Sequence, residues 1–412
     1  MHVKAQRKQR LIRAAFENHY LGKQDPSCWN RRMAKVAKSV TEIQPERFRP
    51  RPSNDSRAVG FTKTGSRVKD IEKQADKKRL RFIDLFCGIG GFHVAFAQAC
   101  RELGLESRAV FASDIDEECR NAYEANFSLP VHGDITKIDA AAVPHHEVLL
   151  AGFPCQPFSI IGERRGFSDT RGTLFFDIAR IIKEKQPAAF VLENVKSLRG
   201  HDGGRTLRTI ITTLNELGYR TNHDVLNALD FGLPQKRERI WIIGNRYDRP
   251  MSLPLGGVPM TPLKNILEKK VDDKHLASDY IREKRLSVRE PGKEPTIWHE
   301  NKAGNISAYP YSCALRAGAS YNYLLVDGKR RLTPREMLRL QGFPDTHKIV
   351  SSDSQTRKQA GNSLPVNVAK AVIKELLISL EWGHTDYVRQ TAQTALLSPV
   401  TRYGKKTKTQ NC

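Results

Sequence analysis

A chain of 412 residues with 68 Lys plus Arg against 45 Asp plus Glu, a net charge of +23 and 39% apolar residues, can bury real cores in two or three domains. No apolar run nears the roughly 18 to 20 residues that cross a bilayer, and the basic start lacks the apolar segment of a secretory signal, so a soluble cytoplasmic protein with no membrane partner is expected. The seven cysteines, odd in number and without a C-x-x-C pair, indicate reduced thiols without zinc, and the charge calls for a polyanion, nucleic acid first, since each phosphate neutralised releases counterion.

Residues 1–79 hold 21 Lys plus Arg against 8 Asp plus Glu, so net +13 of the total lies in a basic N-terminal extension. Leu11, Ile12, Ala15 and Phe16 fit one amphipathic helix, and 45–79, rich in Pro, Ser, Lys and Arg, reads as a linker. Non-specific DNA affinity, a small helix-turn-helix acting at a promoter and a flexible tail are all open for it.

Residues 80–86 (LRFIDLF) read as a buried first strand, followed by Cys87, Gly88, Ile89, Gly90 and Gly91 and an apolar-periodic helix from Phe92 to about Leu103. Such a glycine turn lets a ligand approach the backbone at a helix N-terminus. It is not the G-x-G-x-x-G dinucleotide pattern, so a Rossmann-like sheet holding another nucleotide-like cofactor is expected. A second strand, 108–113, ends in Asp114, 24 residues after Gly90, a spacing that suits a ribose hydroxyl. A third strand end carries His132, Gly133, Asp134 and Ile135, where Asp134 could accept from an adenine amino group. Glycine, Asp and Asp at successive strand ends describe a nucleoside pocket.

Residues 147–159 open as one buried strand and break at Gly152 and Pro154 just before a lone Cys155, followed by Gln156 and Pro157. Flanking prolines stiffen a loop rather than extend a strand, so the thiol is displayed at a strand's carboxyl end, where open α/β sheets bind ligands. The strand at 188–192 delivers Glu193 and Asn194 in the same way. Gln235, Lys236, Arg237, Glu238 and Arg239 precede a strand at 240–244, and alternation puts Arg237 and Arg239 on one face. After Arg246 the strand–helix alternation stops. Residues 250–331 are rich in Pro, Gly, Lys and aromatics, and Thr333 with Pro334 and Glu336 starts another helix.

FIDLFCGIGGF, SDID, GDITKI, GFPCQPFS, FVLENV, LPQKRERI, RLTPREMLRLQGFP and QAGNSLPVNVA stand in the order and spacing of bacterial DNA (cytosine-5) methyltransferases of restriction-modification systems, which the chain resembles over about residues 80–381. The resemblance implies an α/β fold: a Rossmann-like S-adenosylmethionine-dependent methyltransferase domain (80–249), a smaller irregular DNA target-recognition domain (250–331), a return to the catalytic domain (332–383) and a basic tail (384–412). The implied cofactor is S-adenosyl-L-methionine, with Phe86 and Ile115 flanking the adenine, Asp114 on the ribose and Asp134 on the amine, and with Gly88, Gly90, Gly91, Ile135, Pro154, Asn362 and Ser363 as further cofactor-side residues. Asp114 stands where the family usually has Glu, and Cys87 where it usually has Ala or Ser.

Cytosine C5 is a poor nucleophile until something adds at C6, and Cys155 suits that addition. Glu193 would hold or donate the N3 proton, best from a dry site, while Arg237 and Arg239 orient Glu193, favour the thiolate and bind the cytosine carbonyl. The base that removes the C5 proton is left open, water included. The glycine-hinged, basic stretch 156–172 reads as a lid closing over a flipped base. Gln156, Ser159, Arg164, Arg165, Gln235, Arg316 and Asn322 are expected on double-stranded DNA. A monomer is expected, with a cognate restriction endonuclease on the same site as a candidate partner. Two rivals remain: a tRNA cytosine methyltransferase, and a DNA-binding regulator with a dead pocket.

Overall fold

In a computed structural model the described residues are 79–154 and 174–383. The expected N-terminal extension, the lid with Cys155, Gln156, Ser159, Arg164 and Arg165, and the basic tail lie outside them. All described residues fall within the unit Glu72–Cys412.

The strands, in chain order, are β1 (Arg79–Leu85), β2 (Glu106–Ser113), β3 (Val148–Gly152), β4 (Ala189–Val195), β5 (Arg220–Asn227), β6 (Gln235–Lys236), β7 (Glu238–Asn245), β8 (Ile297–Glu300), β9 (Ile306–Tyr309), β10 (Ser312–Cys313) and β11 (Leu324–Val326). The helices are α1 (Gly91–Glu102), α2 (Glu117–Phe127), α3 (Leu174–Lys185), α4 (Arg205–Glu216), α5 (Asp279–Leu286), α6 (Pro334–Leu340), α7 (Asp353–Asn362) and α8 (Val366–Ser379). A six-stranded sheet runs β2-β1-β3-β4-β7-β5, with β7 alone antiparallel to its neighbours.

The central strands are apolar nearly throughout because helices cover both faces. Along β4, Ala189 and Val191 join one core with α1 and α8, while Phe190 and Leu192 join the other with α3 and α4. Lys370 and Lys374 of α8 both reach Glu102 at the end of α1, at 2.8 and 2.6 Å.

Several boundaries differ from the sequence reading. β1 stops at Leu85 because Phe86 adopts φ 54°. The third strand end shrinks to a single bridge between Ser113 and His132, followed by a 3-10 turn at Ile135–Lys137. Gly361 and Asn362 close α7, a helix not anticipated, rather than leading into α8.

Beyond Arg246 a small antiparallel sheet, β11-β8-β9, forms around the fully buried Trp298. Gly328, at φ +72°, turns beneath that ring, and a Cβ there would meet it at 2.6 Å. Buried Arg285 ties the sheet together, donating to Glu300 Oε2 at 2.7 Å and to the Asn322 carbonyl at 2.8 Å. β10 pairs in parallel with β6 in a separate two-stranded sheet, which fastens this segment to the residues just ahead of β7. α6 has the anticipated start: Thr333 and Glu336 form a capping box with Pro334 at the first position.

Candidate active site

The carboxyl ends of β1 to β4 open into one cavity of about 1120 Å³, where α/β sheets place their ligands. Its first wall is the glycine turn. Gly88 and Gly90 take φ +52° and +86°, and a Cβ on Gly90 would stand 2.1 Å from the Phe127 ring, so both backbone and space demand glycine. Asp114 stiffens the turn: Oδ2 accepts from the Gly88 N–H at 2.8 Å and Oδ1 from the Asp116 N–H at 2.9 Å. Burial raises its pKa despite those bonds. Beside it Ile115 is 76% exposed, an apolar side chain lining the cavity.

Asp134 caps the 3-10 turn, its Oδ1 accepting from the N–H and hydroxyl of Thr136 at 3.0 and 2.8 Å. Those bonds hold its pKa low, and Oδ2 takes no hydrogen bond from the described residues. Phe86, Ile135, Pro154, Asn362 and Ser363 also line the cavity, and Gly91 packs against Ser363 and Leu364. Sequence reasoning passed over Cys119, which lines the same wall, and Asp84, fully buried beneath it. Burial first, then Asp114, pushes the Asp84 carboxyl well above the usual range.

The opposite end of the cavity carries the charged groups. In the β3–β4 register Gly152 stands beside Glu193, and a Cβ on Gly152 would lie 3.7 Å from Glu193 Oε2. Asn194 Nδ2 donates to the Phe153 carbonyl at 2.8 Å, pinning the chain two residues before Cys155. Antiparallel pairing sets Val195 opposite Arg239 and Glu193 opposite Trp241, so Glu193 and Arg239 are diagonal neighbours on one face. Arg239 Nε reaches Glu193 Oε1 at 3.0 Å. Burial raises the pKa of Glu193, with Arg239 and then Arg237 pulling against it.

Arg237 also lines the cavity but forms no hydrogen bond to Glu193 among those described; it is 1% exposed and donates to the carbonyls of Leu315, Gly361 and Ser363. Burial, reinforced by Arg239, brings its pKa down to about 9. Gln235 requires correction as a DNA contact. It is 0% exposed, with its amide engaged by Leu315, Leu340 and Gln341, and no duplex can reach it. Arg316 is exposed, its guanidinium 4.8 Å over the Tyr323 ring, whereas Asn322 is half-buried with Oδ1 enclosed.

The model of the C-5 cytosine-specific DNA methylases matches residues 80–305 and 268–377, which hold every cavity residue named above. The chain belongs to this methylase family. The methylase is 54% identical over 296 residues to Type II methyltransferase M.NgoBI of Neisseria gonorrhoeae, covering 71% of this chain and 91% of the relative. Against Type II methyltransferase M.HaeII of Haemophilus aegyptius it is 50% identical over 326 residues, covering 78% and 99%. Its fold matches the crystal structure of S. pombe Dnmt2 methyltransferase with a TM-score of 0.56 at 21% identity, over 74% of this chain and 99% of that one. The methylase is thus an enzyme of DNA cytosine-5 methylation.

Proposed function

We propose that the methylase transfers a methyl group from S-adenosylmethionine to C5 of a cytosine flipped from a short duplex DNA site, and that it protects DNA from a restriction endonuclease acting at that site. The observation that carries this reading is the buried Glu193–Arg239 pair, set at the carboxyl end of β4 beside the strand end that leads into Pro154 and Cys155.

The cavity suits the cofactor. Asp134 keeps one carboxylate oxygen for an adenine amine, Asp114 retains lone pairs for ribose hydroxyls, exposed Ile115 and Phe86 offer apolar cover, and Gly88, Gly90 and Gly91 admit close backbone approach. Pro154, Ile135, Asn362 and Ser363 complete its surroundings. When bound, S-adenosylmethionine supplies an electrophilic methyl group.

The chain's own residues make cytosine able to accept it. The Cys155 thiolate adds to C6, and the electrons of the C5–C6 bond move into the ring as Glu193 gives a proton to N3. C5 then takes the methyl group as the methyl–sulfur bond of the cofactor breaks and its electron pair leaves with S-adenosylhomocysteine. N3 returns its proton to Glu193, and loss of the C5 proton to a base restores the C5–C6 double bond and expels the Cys155 thiolate. Arg239 holds Glu193 in place, and the Arg237 charge assists, because buried groups feel their neighbours strongly. Residues 250–331 read the duplex, with the exposed Arg316 beside the cavity turn at Gly361.

The test is to incubate purified monomeric protein with S-adenosylmethionine and sequence-diverse duplex DNA, then map 5-methylcytosine base by base beside a Cys155→Ser control. Methylation confined to one short motif and absent from the control is expected. Cofactor binding without 5-methylcytosine in DNA would defeat the reading and turn attention to transfer RNA.

A further inference from the structure

Three buried polar side chains, Gln235, Arg237 and Gln341, are 0%, 1% and 0% exposed and lie between the duplex-reading segment and the cofactor-side turn. Each end of this cluster grips backbone. Gln235 Oε1 accepts from the Leu315 N–H at 3.0 Å, and Arg237 Nη1 donates to the Leu315 carbonyl at 2.8 Å, so both polar groups of that one peptide position are held. On the other side Arg237 Nη2 donates to the carbonyls of Gly361 at 3.0 Å and Ser363 at 2.5 Å. Gln341 Nε2 reaches the carbonyls of Ala360 at 2.5 Å and Ser363 at 3.2 Å, and Gln235 Nε2 closes the ring onto Gln341 Oε1 at 3.2 Å.

The two gripped segments also touch directly. A Cβ on Gly361 would fall 2.3 Å from the Ala317 nitrogen and 2.7 Å from the Arg316 carbonyl carbon. Arg316 is exposed on one side of this junction, and Asn362 is exposed in the cofactor cavity on the other. A shift of the backbone at 315–317 therefore has no slack in which to dissipate before it reaches 360–363, because packed interiors have few voids and buried hydrogen bonds are expensive to leave unmade.

We propose that Arg237, seconded by Gln235 and Gln341, is a positioning residue that couples DNA at the 315–317 segment to the cofactor at the 361–363 turn, so that each ligand raises the other's affinity. This rests on the functional reading above. Arginine is needed because one rigid fork spans Leu315 on one side and Gly361 with Ser363 on the other; a lysine ammonium on a flexible stem reaches one side at a time.

Coupling of this kind is reciprocal, which gives a test that a merely structural role would not pass. Using the full chain and a duplex carrying the motif mapped for the wild type, the affinity of S-adenosylhomocysteine is measured by calorimetry with and without DNA, and that of the duplex by anisotropy with and without S-adenosylhomocysteine. The wild type should show an equal gain in both directions, about tenfold. In Arg237→Lys the gain should fall below about twofold in both, while S-adenosylhomocysteine still binds alone. Gln341→Met, which keeps the volume and drops its three hydrogen bonds, should give an intermediate gain and serves as the deciding variant if Arg237→Lys does not fold. A wild-type gain of one, or variants that weaken both affinities while preserving their ratio, would overturn the proposal. Wild-type protein that leaves no 5-methylcytosine in DNA would instead remove the functional reading beneath it.

Discussion

Glu193 can keep a proton closer to neutrality than a free glutamate because burial opposes its ionisation more than Arg239 and Arg237 favour it. The sign of the consequence is definite. Its protonated fraction falls as pH rises through the raised value, so single-turnover methylation should decline on that limb. Glu193→Gln, which cannot titrate, should abolish the decline and slow the reaction about 10² to 10⁴-fold; a decline that persists in the variant would assign it elsewhere. Arg239→Ala tests the partner. It leaves a buried carboxyl without its guanidinium, worth about 3 to 5 kcal/mol when the acid is charged. A protonated Glu193 needs no cation, so the drop in urea midpoint relative to wild type should be smallest at acid pH and grow as pH rises through the raised value. A gap that does not vary with pH would show that the arginine acts through packing alone.

Among the elements, the turn between β1 and α1 is the most constrained. Gly90→Ala adds both a left-handed strain and a methyl group driven into Phe127, together about 2 to 5 kcal/mol, and should lower the thermal midpoint and weaken S-adenosylhomocysteine binding. Adding Phe127→Leu should recover stability in part, since only the collision is relieved; full recovery would mean the backbone conformation is not strained. This element was legible from the residues, for an apolar run punctuated by glycines and followed by helical periodicity has few other readings. α7 was not. Its sequence DSQTRKQAGN carries hardly any apolar signal, and it stands because Ser352 caps it, Lys358 pairs with Asp116 at 2.7 Å, and Gln359 donates to the Glu118 carbonyl. β5 was hidden likewise, since RTNHDVLN is the mostly polar edge of the sheet. Gln235 shows the complementary failure: a buried amide and a DNA-facing amide are the same letter, and only the neighbours supplied by Leu315, Leu340 and Gln341 tell them apart.

For the molecule as a whole, charge is distributed unevenly. The cavity, its walls and the small sheet all lie within residues 79–383, whereas net +13 of the +23 belongs to 1–79. Removing residues 1–78 should therefore leave the methylated motif unchanged while weakening DNA binding and flattening its salt dependence, by about 0.9 in the log–log slope for each phosphate that the truncated protein no longer neutralises. Anisotropy titrations across a salt series would measure this, and an unchanged slope would free the extension from any part in DNA binding. The broad architecture was readable because composition, strand-end chemistry and motif order agreed. How the small sheet is fastened was not, since a two-residue pairing of β10 with β6 leaves no pattern in the residues.

The reversed direction of β7 has a chemical consequence. Had that strand run parallel to β4, its opposite terminus would have met Glu193, and Arg239 would have emerged at the far edge of the sheet. Alignment of two hydrogen-bonded ladders thus acts as a catalytic parameter. Inserting a single residue after Arg239 would turn its side chain to the other face. Such a protein could keep every residue named here and most of its core, and still lose the carboxyl–guanidinium couple through a displacement of little more than about 3 Å.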